Sequence, residues 1–222
     1  MKRPILIRFA AFSAIAAALI VTGYFIIRPG DELPVFHPRQ IDPRLVDPSV
    51  RQLQGEHTIS DFRLVDQLGD TITLASVGGR IIVADFFFTT CPTICPKMTA
   101  NLAKVQSAFA GDSRIALLSH SVTPEIDSVP VLRAYGELHG ADPRQWHLLT
   151  GERRQIYELA RKSYFACLDE GDGGPQDFVH TENLVLVDTR RRIRGFYDGT
   201  KDAEAKRLIT DIRRLMREEG MR

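Results

Sequence analysis

The chain of 222 residues has almost no net charge, no internal repeat and only three cysteines. Its 29 basic and 28 acidic residues give a formal net charge of +1, which lends no support to nucleic-acid binding. The absence of a repeat excludes a solenoid or propeller built from similar units. Three cysteines form at most one disulfide within the chain, so a fold held by several disulfides is also excluded.

Two of the three cysteines lie close together. Cys91 and Cys95 stand three residues apart in the segment Phe-Phe-Phe-Thr-Thr-Cys-Pro-Thr-Ile-Cys-Pro, directly after an apolar run typical of a strand. Two thiols at this spacing can close into a disulfide or hold a thiophilic ion, and a helix beginning here would stabilise their thiolates. The pair therefore indicates thiol redox chemistry or soft-metal binding.

Pro96 directly follows the second cysteine. Proline suits the first position of a helix because it has no N–H to donate. This predicts Cys95 as the N-cap residue and Cys91 as part of the preceding loop, with neither thiol deep in the core.

The N-terminal region predicts export. Residues 9–27 carry no charge and are mostly apolar, and as a helix they would span roughly 30 Å, about one hydrocarbon core. Lys2, Arg3 and Arg8 precede this run, which places residues 1–8 in the cytoplasm by the positive-inside rule. We therefore predict a single-pass anchor in a bacterial inner membrane with the remaining chain in the periplasm. A cleaved signal peptide is the alternative.

The rest of the chain is predicted to form a linker and one domain. Residues 28–57 contain five prolines among charged residues without a sustained apolar period, which is typical of a semi-extended linker. Residues 58–222 have the length of a single domain.

Within that domain, apolar runs alternate between strand and helix patterns. The order predicts an α/β sandwich with a mixed sheet, and the cysteine pair follows the carboxyl end of a central strand, as in the thioredoxin-like arrangement. The predicted strands cover 62–65, 71–74, 81–87, 115–119, 146–149, 184–187 and 193–197, and the predicted helices cover 98–109, 129–139, 152–163 and 202–217.

Three segments together resemble one known family. The cysteine motif, then Ser-Val-Thr-Pro-Glu-Ile-Asp at 121–127, then Asp-Phe-Val-His at 177–180 are similar to the Sco/SenC family. The resemblance implies a membrane-tethered, thioredoxin-like copper protein that serves assembly of the copper site of cytochrome c oxidase. By motif position the copper ligands would be Cys91, Cys95 and His180. It also implies a copper-accepting membrane protein, such as an oxidase subunit, and a thiol reductant as partners.

The surroundings of this motif differ from the common family pattern. Family members often carry His before the first cysteine and Asp-Pro-Glu after the next strand, where this chain has Thr90 and Thr123-Pro124-Glu125. The sequence therefore leaves three roles open: copper delivery to an oxidase, copper delivery to another copper enzyme, and a redox role. Asp127 is expected either to serve as an acidic group near the site or to cap the helix at Val129.

Other uses of the cysteines have to be weighed. A thiol-disulfide oxidoreductase would use one cysteine as nucleophile and the other to resolve the mixed disulfide. A peroxiredoxin-like peroxidase would need a Thr, for which Thr89 and Thr90 are candidates, and an Arg beside one thiolate. A structural disulfide on an inert binding module is the remaining possibility.

His120 is a further candidate near the site, and Cys167 is expected to be a semi-buried thiol.

Overall fold

The computed structural model describes residues 12–13, 15–19, 22, 32–43, 45–51, 56–166 and 182–221. The chain divides into two compact units, Met1–Glu32 and Leu33–Arg222. In the first unit residues 12–13, 15–19 and 22 are helical, and Glu32 forms a bend. Among the described residues of the whole chain, no helix has both the length and the apolarity that a membrane span requires. Most of the predicted anchor lies outside these residues.

The second unit is built on a five-stranded mixed sheet. Its strand order is β5-β4-β3-β6-β7, and β1 and β2 form a separate antiparallel hairpin. The central strands β3, β4 and β5 run parallel, while β6 and β7 are antiparallel to their neighbours. The strands are β1 Arg63–Val65, β2 Thr71–Thr73, β3 Ile81–Phe87, β4 Ile115–Ser121, β5 Trp146–Leu149, β6 Asn183–Val187 and β7 Ile193–Asp198.

Four helices cover the sheet. They are α1 Ile94–Ala108, α2 Val129–His139, α3 Arg153–Glu158, which continues as a π-helical turn over Leu159–Ser163, and α4 Asp202–Glu218. The predicted element order is confirmed. Helices α1, α2 and α4 pack on one face of the sheet, while α3 and the β1–β2 hairpin pack on the other.

Strand β3 positions the cysteines. All seven of its residues are buried, as its continuous apolar run predicted, because it has a paired strand on each side and packed layers on both faces. Alternate residues of β3 lie on opposite faces of the sheet: Phe86 packs in the core under α3, and Phe87 packs in the core under α1. Phe87 pairs in register with Ser121, so the carboxyl ends of β3 and β4 meet at one edge of the sheet.

The described part of the predicted linker lies on the domain. Leu33, Ile41 and Val46 are buried, and the N–H of Phe36 donates to the carbonyl of Ile193 at 2.9 Å. The sequence does not predict this packing, because the apolar residues among the prolines and charged residues recur without a helical or strand period.

An arginine holds the start of this unit in place. Arg194, 5 % exposed, donates to the carbonyls of Leu33 and Pro34 at 2.6 and 3.1 Å. It also pairs with Asp188 at 3.2 Å and with Glu218 at 2.6 Å. The bonds to Leu33 and Pro34 join residues 161 and 160 positions apart in the chain.

Candidate metal centre

The cysteine pair lies where β3 turns into α1. The N–H of Cys91 donates to the Phe88 carbonyl at 3.3 Å, which closes a tight turn after the strand. Helix α1 begins at Ile94 with Thr93 as its N-cap residue. The prediction of Cys95 as N-cap was wrong: Cys95 is the second helical residue and Pro96 the third. Proline is accepted there because the first four N–H groups of a helix have no partner within the helix.

The sulfur of Cys91 takes the place of a capping side chain. Thr93 makes no side-chain cap bond, and the N–H of Cys95 donates to Cys91 Sγ at 3.4 Å. Burial raises the pKa of the Cys91 thiol, but hydrogen bonds from the backbone of Cys95, Thr93 and Ile94 outweigh it and lower the pKa below its usual value. The helix N-terminus thus favours a thiolate at Cys91.

Cys95 has the opposite character. Its side chain is 2 % exposed, against 7 % for Cys91, so the expectation that neither thiol is deeply placed was wrong. Burial raises the pKa of the Cys95 thiol to about 12, and a hydrogen bond to Cys91 adds to the rise. Both cysteines are reduced in the structure. The pair therefore combines one thiol whose pKa the helix N-terminus lowers with one thiol whose pKa burial raises.

A buried acid lies on the same face of the sheet. Asp85 is an acidic residue inside the apolar strand β3, and this interruption is a signal that the sequence analysis did not use. Ser119 Oγ donates to Asp85 Oδ1 at 2.5 Å, and Trp146 Nε1 donates to Ser119 Oγ at 2.9 Å. Burial raises the pKa of Asp85 to about 7, with the Ser119 hydrogen bond opposing the rise. The charge on Asp85 in turn contributes to the raised pKa of Cys95.

Asp127 connects the cysteine loop with the loop between β4 and α2. Its carboxylate accepts hydrogen bonds from Thr89, Ser121 and Thr123. It does not cap α2, whose N-cap residue is Ser128, so the capping alternative was wrong. Thr89 Oγ1 donates to Asp127 at 2.5 Å, so it does not donate to a cysteine sulfur as the peroxidase hypothesis requires.

His120 belongs to the other face of the sheet. Its ring stacks on Phe86 at 4.9 Å and lies 5.4 Å from the Tyr164 ring, within the core beneath α3. Burial lowers the pKa of His120 to about 4. Its Nε2 has no partner among the described residues. The structure does not bring His120 together with the cysteines.

Two predicted residues, His180 and Cys167, lie outside the described residues. Within the described part of the chain, no group of three His, Cys, Asp or Glu side chains is arranged to hold a metal ion. Two other histidines have structural contacts: His57 Nε2 lies 2.7 Å from the Ser163 carbonyl, and His147 Nδ1 lies 3.1 Å from Asp66 Oδ2.

The two sulfurs permit two kinds of chemistry. A thiolate beside a thiol can attack a disulfide and then resolve the mixed product. Two deprotonated sulfurs can instead bind a soft cation such as Cu(I), provided that Cys95 loses its proton.

Solved structures with the same fold have related sequences. A SCO1/SenC family lipoprotein from Bacillus anthracis is 29% identical, with a TM-score of 0.64 over 72% of this chain and 95% of that one. BsSco, described as a member of the Sco family of cytochrome c oxidase assembly proteins with a disulfide switch, is 28% identical with a TM-score of 0.61, over 72% of this chain and 94% of its own. ScoI from Arabidopsis thaliana with copper bound is 25% identical with a TM-score of 0.56, over 70% and 98%.

These likenesses agree with the comparison against protein families. The family model described as SCO1/SenC matches residues 50–217, which include the cysteine pair, both loops at the carboxyl edge of the sheet and helix α4 up to its last turn. The chain therefore belongs to the SCO1/SenC family.

Proposed function

We propose that this protein binds one copper ion as cargo through Cys91, Cys95 and His180 and supplies it to a copper-accepting membrane protein. The recipient is a cytochrome c oxidase subunit or another exported copper enzyme. The observation that carries the proposal is the pair of reduced sulfurs at the start of α1 in a chain of this family. Copper bound in Arabidopsis ScoI and the oxidase-assembly description of BsSco support it.

The donor set suits copper. Two thiolates and one imidazole form a soft, low-coordinate set that fits Cu(I) and also accepts Cu(II). The N–H groups around Cys91 favour its thiolate in advance of the metal, whereas Cys95 must release a proton when copper binds. Copper affinity therefore decreases in acid, and it is lost when the pair is oxidised to a disulfide. Under this proposal the protein is a chaperone rather than an enzyme.

The proposed location is the bacterial inner membrane, with one anchor over residues 9–27 and the domain over 58–222 in the periplasm. The uncharged run, the basic residues before it and the lipoprotein from Bacillus anthracis support a tethered domain. A tether keeps the copper site near membrane-bound recipients. Because the periplasm oxidises dithiols, a thiol reductant is a second proposed partner, and no nucleic acid is expected.

A second candidate function is thiol-disulfide exchange with the cysteines of the recipient. The contrast between Cys91 and Cys95 favours it, because the thiol with the lowered pKa can attack first and the thiol with the raised pKa can then resolve the mixed disulfide. The Cys91 thiolate would attack a disulfide of the recipient, breaking its S–S bond, forming a mixed disulfide and releasing one recipient thiol. Cys95 would then attack the mixed disulfide at Cys91 and release the second recipient thiol. The recipient gains the two electrons and this protein keeps the disulfide. The disulfide switch of BsSco is consistent with such a step.

A copper-retention experiment separates the two functions. The full-length reduced protein in detergent receives one equivalent of Cu(I) without oxygen and is then challenged with a competing chelator. We expect the wild type to keep about one copper per chain, Cys91→Ser and Cys95→Ser to lose it, and His180→Ala to hold it more weakly. Cys167→Ser, which removes the cysteine outside the motif, is the matched control and should retain copper. A wild type that keeps no copper but exchanges rapidly with disulfides would leave only the second function.

A further inference from the structure

Asp127 is a buried carboxylate that receives hydrogen bonds from two loops. Thr89, in the loop that carries the cysteines, donates through its N–H at 3.3 Å and its Oγ1 at 2.5 Å. Ser121 Oγ, at the end of β4, donates at 2.5 Å, and Thr123 Oγ1, in the loop after β4, donates at 3.0 Å. Asp127 itself is fully buried.

Hydroxyl and amide groups alone solvate this carboxylate. Within the described residues, its partners are three hydroxyls and one backbone N–H, and none of the ion pairs there includes Asp127. A buried carboxylate is costly unless such donors surround it, and hydrogen bonds to a charged acceptor are stronger and more directional than neutral ones. The four donors therefore have to keep their positions around the two carboxylate oxygens.

These hydrogen bonds connect two segments of the chain that meet at the carboxyl edge of the sheet. The parallel pairing of β3 with β4 ends at Phe87 and Ser121, and the N–H of Val122 donates to the Phe87 carbonyl at 2.9 Å. Beyond that point the strands no longer pair. The bonds from Thr89 to Asp127 then continue the link between the loops, two residues before Cys91.

The reactivity of Cys91 depends on the shape of that loop. Its sulfur accepts the hydrogen bond from the Cys95 N–H at 3.4 Å only if the turn after Phe88 aims it at the N-terminus of α1. The N-cap residue Thr93 makes no side-chain cap bond that would fix the turn. Without a contact elsewhere in the loop, the Cys91 sulfur would be free to take another position.

We infer that Asp127 is a positioning residue that acts through Thr89 to hold the Cys91 sulfur against the N-terminus of α1. Its role in copper handling rests on the proposed function, but its effect on the thiol does not require copper. The bond from Thr89 Oγ1 is the specific link, because Ser121 and Thr123 tie Asp127 only to its own side of the site.

The test compares two isosteric variants of the full-length reduced protein. Thr89→Val removes the hydroxyl that joins the two loops. Thr200→Val is the matched control, because Thr200 also donates through its N–H and its Oγ1 to one aspartate, Asp198, at 3.0 and 2.6 Å, in the turn before α4. Alkylation of Cys91 by iodoacetamide is followed over a range of pH by mass spectrometry of the modified residue, together with the midpoint of denaturant unfolding.

We expect Thr89→Val to shift the alkylation profile of Cys91 to higher pH and to slow alkylation at pH 7 by about threefold or more, which corresponds to about half a pKa unit. Thr200→Val should keep the wild-type profile even where the two variants lose similar stability. Asp127→Asn, which keeps the shape of the side chain, should shift the profile in the same direction as Thr89→Val.

Equal profiles for Thr89→Val, Thr200→Val and the wild type would overturn the inference, whatever their unfolding midpoints. Copper retention is measured on the same samples. A wild type that holds no copper would contradict the proposed function, while the alkylation profiles would still decide the role of Asp127. A wild type that holds copper, with unshifted profiles, would contradict only the positioning role.

Discussion

The backbone N–H of Cys95 donates to Cys91 Sγ at 3.4 Å, so one cysteine of the pair caps the helix on which the other lies. This relationship makes two neighbouring thiols chemically different. Both lie in the core beneath α1, but the N–H groups of the helix N-terminus lower the pKa of Cys91, whereas deeper burial raises the pKa of Cys95. The difference matters for both proposed functions, because each needs one sulfur that reacts first.

The two thiols should react at different rates. In the reduced protein at pH 7.5, iodoacetamide should modify Cys91 more than about a hundredfold faster than Cys95, because each unit of pKa changes the thiolate fraction about tenfold and Cys95 is also buried. Fragment-ion mass spectrometry of partly alkylated protein distinguishes the two sites. Equal rates of modification would contradict the asymmetry.

His120 should make the domain sensitive to acid. Its pKa is about 4 in the folded protein because of burial, while an unfolded histidine titrates near 6.5. Between these values the unfolded state binds more protons, so the free energy of unfolding decreases as the pH falls from about 6.5 to 4, by up to about 3 kcal/mol. His120→Phe, in a cluster of aromatic rings, should remove this contribution. Denaturant unfolding at several pH values measures it.

The same variant checks the assignment of faces. His120→Phe should retain copper as the wild type does, because the ring packs beneath α3 rather than α1. Loss of copper in this variant, at a pH where it is folded, would place His120 in the metal site after all.

Asp85 should have the opposite pH dependence. Its pKa is about 7 in the folded protein because of burial, against 3.8 for an ordinary aspartate, so the folded state binds the extra proton. The stability from this group is present in full below about pH 4 and is lost as the pH rises to about 7. Asp85→Asn should therefore gain stability over the wild type with increasing pH, by up to about 4 kcal/mol above pH 7. A constant difference across the pH range would contradict this.

These two groups nearly offset each other in the wild type. Between about pH 4 and 6.5, the slope from His120 and the slope from Asp85 have opposite signs. A flat wild-type curve alone therefore tests neither group, and the comparison of each variant with the wild type is the informative measurement.

Arg194 should hold the start of the domain. Arg194→Ala leaves Asp188 and Glu218 without their buried cation and releases the carbonyls of Leu33 and Pro34. Breaking a buried pair from one side costs about 3 to 5 kcal/mol, measured as the free energy of unfolding. Amide exchange at Leu33 should also accelerate, because its N–H donates to Glu218 Oε1.

Arg144→Ala is the control for this variant. Arg144 pairs with Asp142 at 2.7 Å on the exposed surface, where ion pairs contribute little. It should unfold as the wild type does and leave the exchange at Leu33 unchanged. Equal stability of the Arg194 and Arg144 variants would show that the buried network does not hold residues 33 and 34.

Local patterns predicted the sheet, the helices and the position of the cysteines. The apolar run of β3 and the two thiols after it were enough to place Cys91 and Cys95 at the carboxyl edge, because parallel strands end there together. The same patterns wrongly predicted Cys95 as the N-cap residue. Pro96 is accepted at any of the first helical positions, so it does not fix the residue at which α1 begins.

Long-range contacts could not be predicted in this way. The N–H groups of Leu33 and Phe36 donate to α4 and β7, far along the chain, so no local period predicts these contacts. Asp127 precedes a helix and therefore resembles a cap, yet it also accepts hydrogen bonds from Thr89, in another loop that only the sheet brings near. The residues 167–181 lie outside those described, so the contribution of His180 stays a prediction.

X-ray absorption at the copper edge is the most direct test of the proposed site. The full-length reduced protein carries one equivalent of Cu(I), with His180→Ala prepared in parallel. We predict two sulfur ligands and one nitrogen ligand in the wild type, and loss of the nitrogen with retention of both sulfurs in the variant. A single sulfur ligand in the wild type, or an unchanged nitrogen in His180→Ala, would contradict a copper site formed by Cys91, Cys95 and His180.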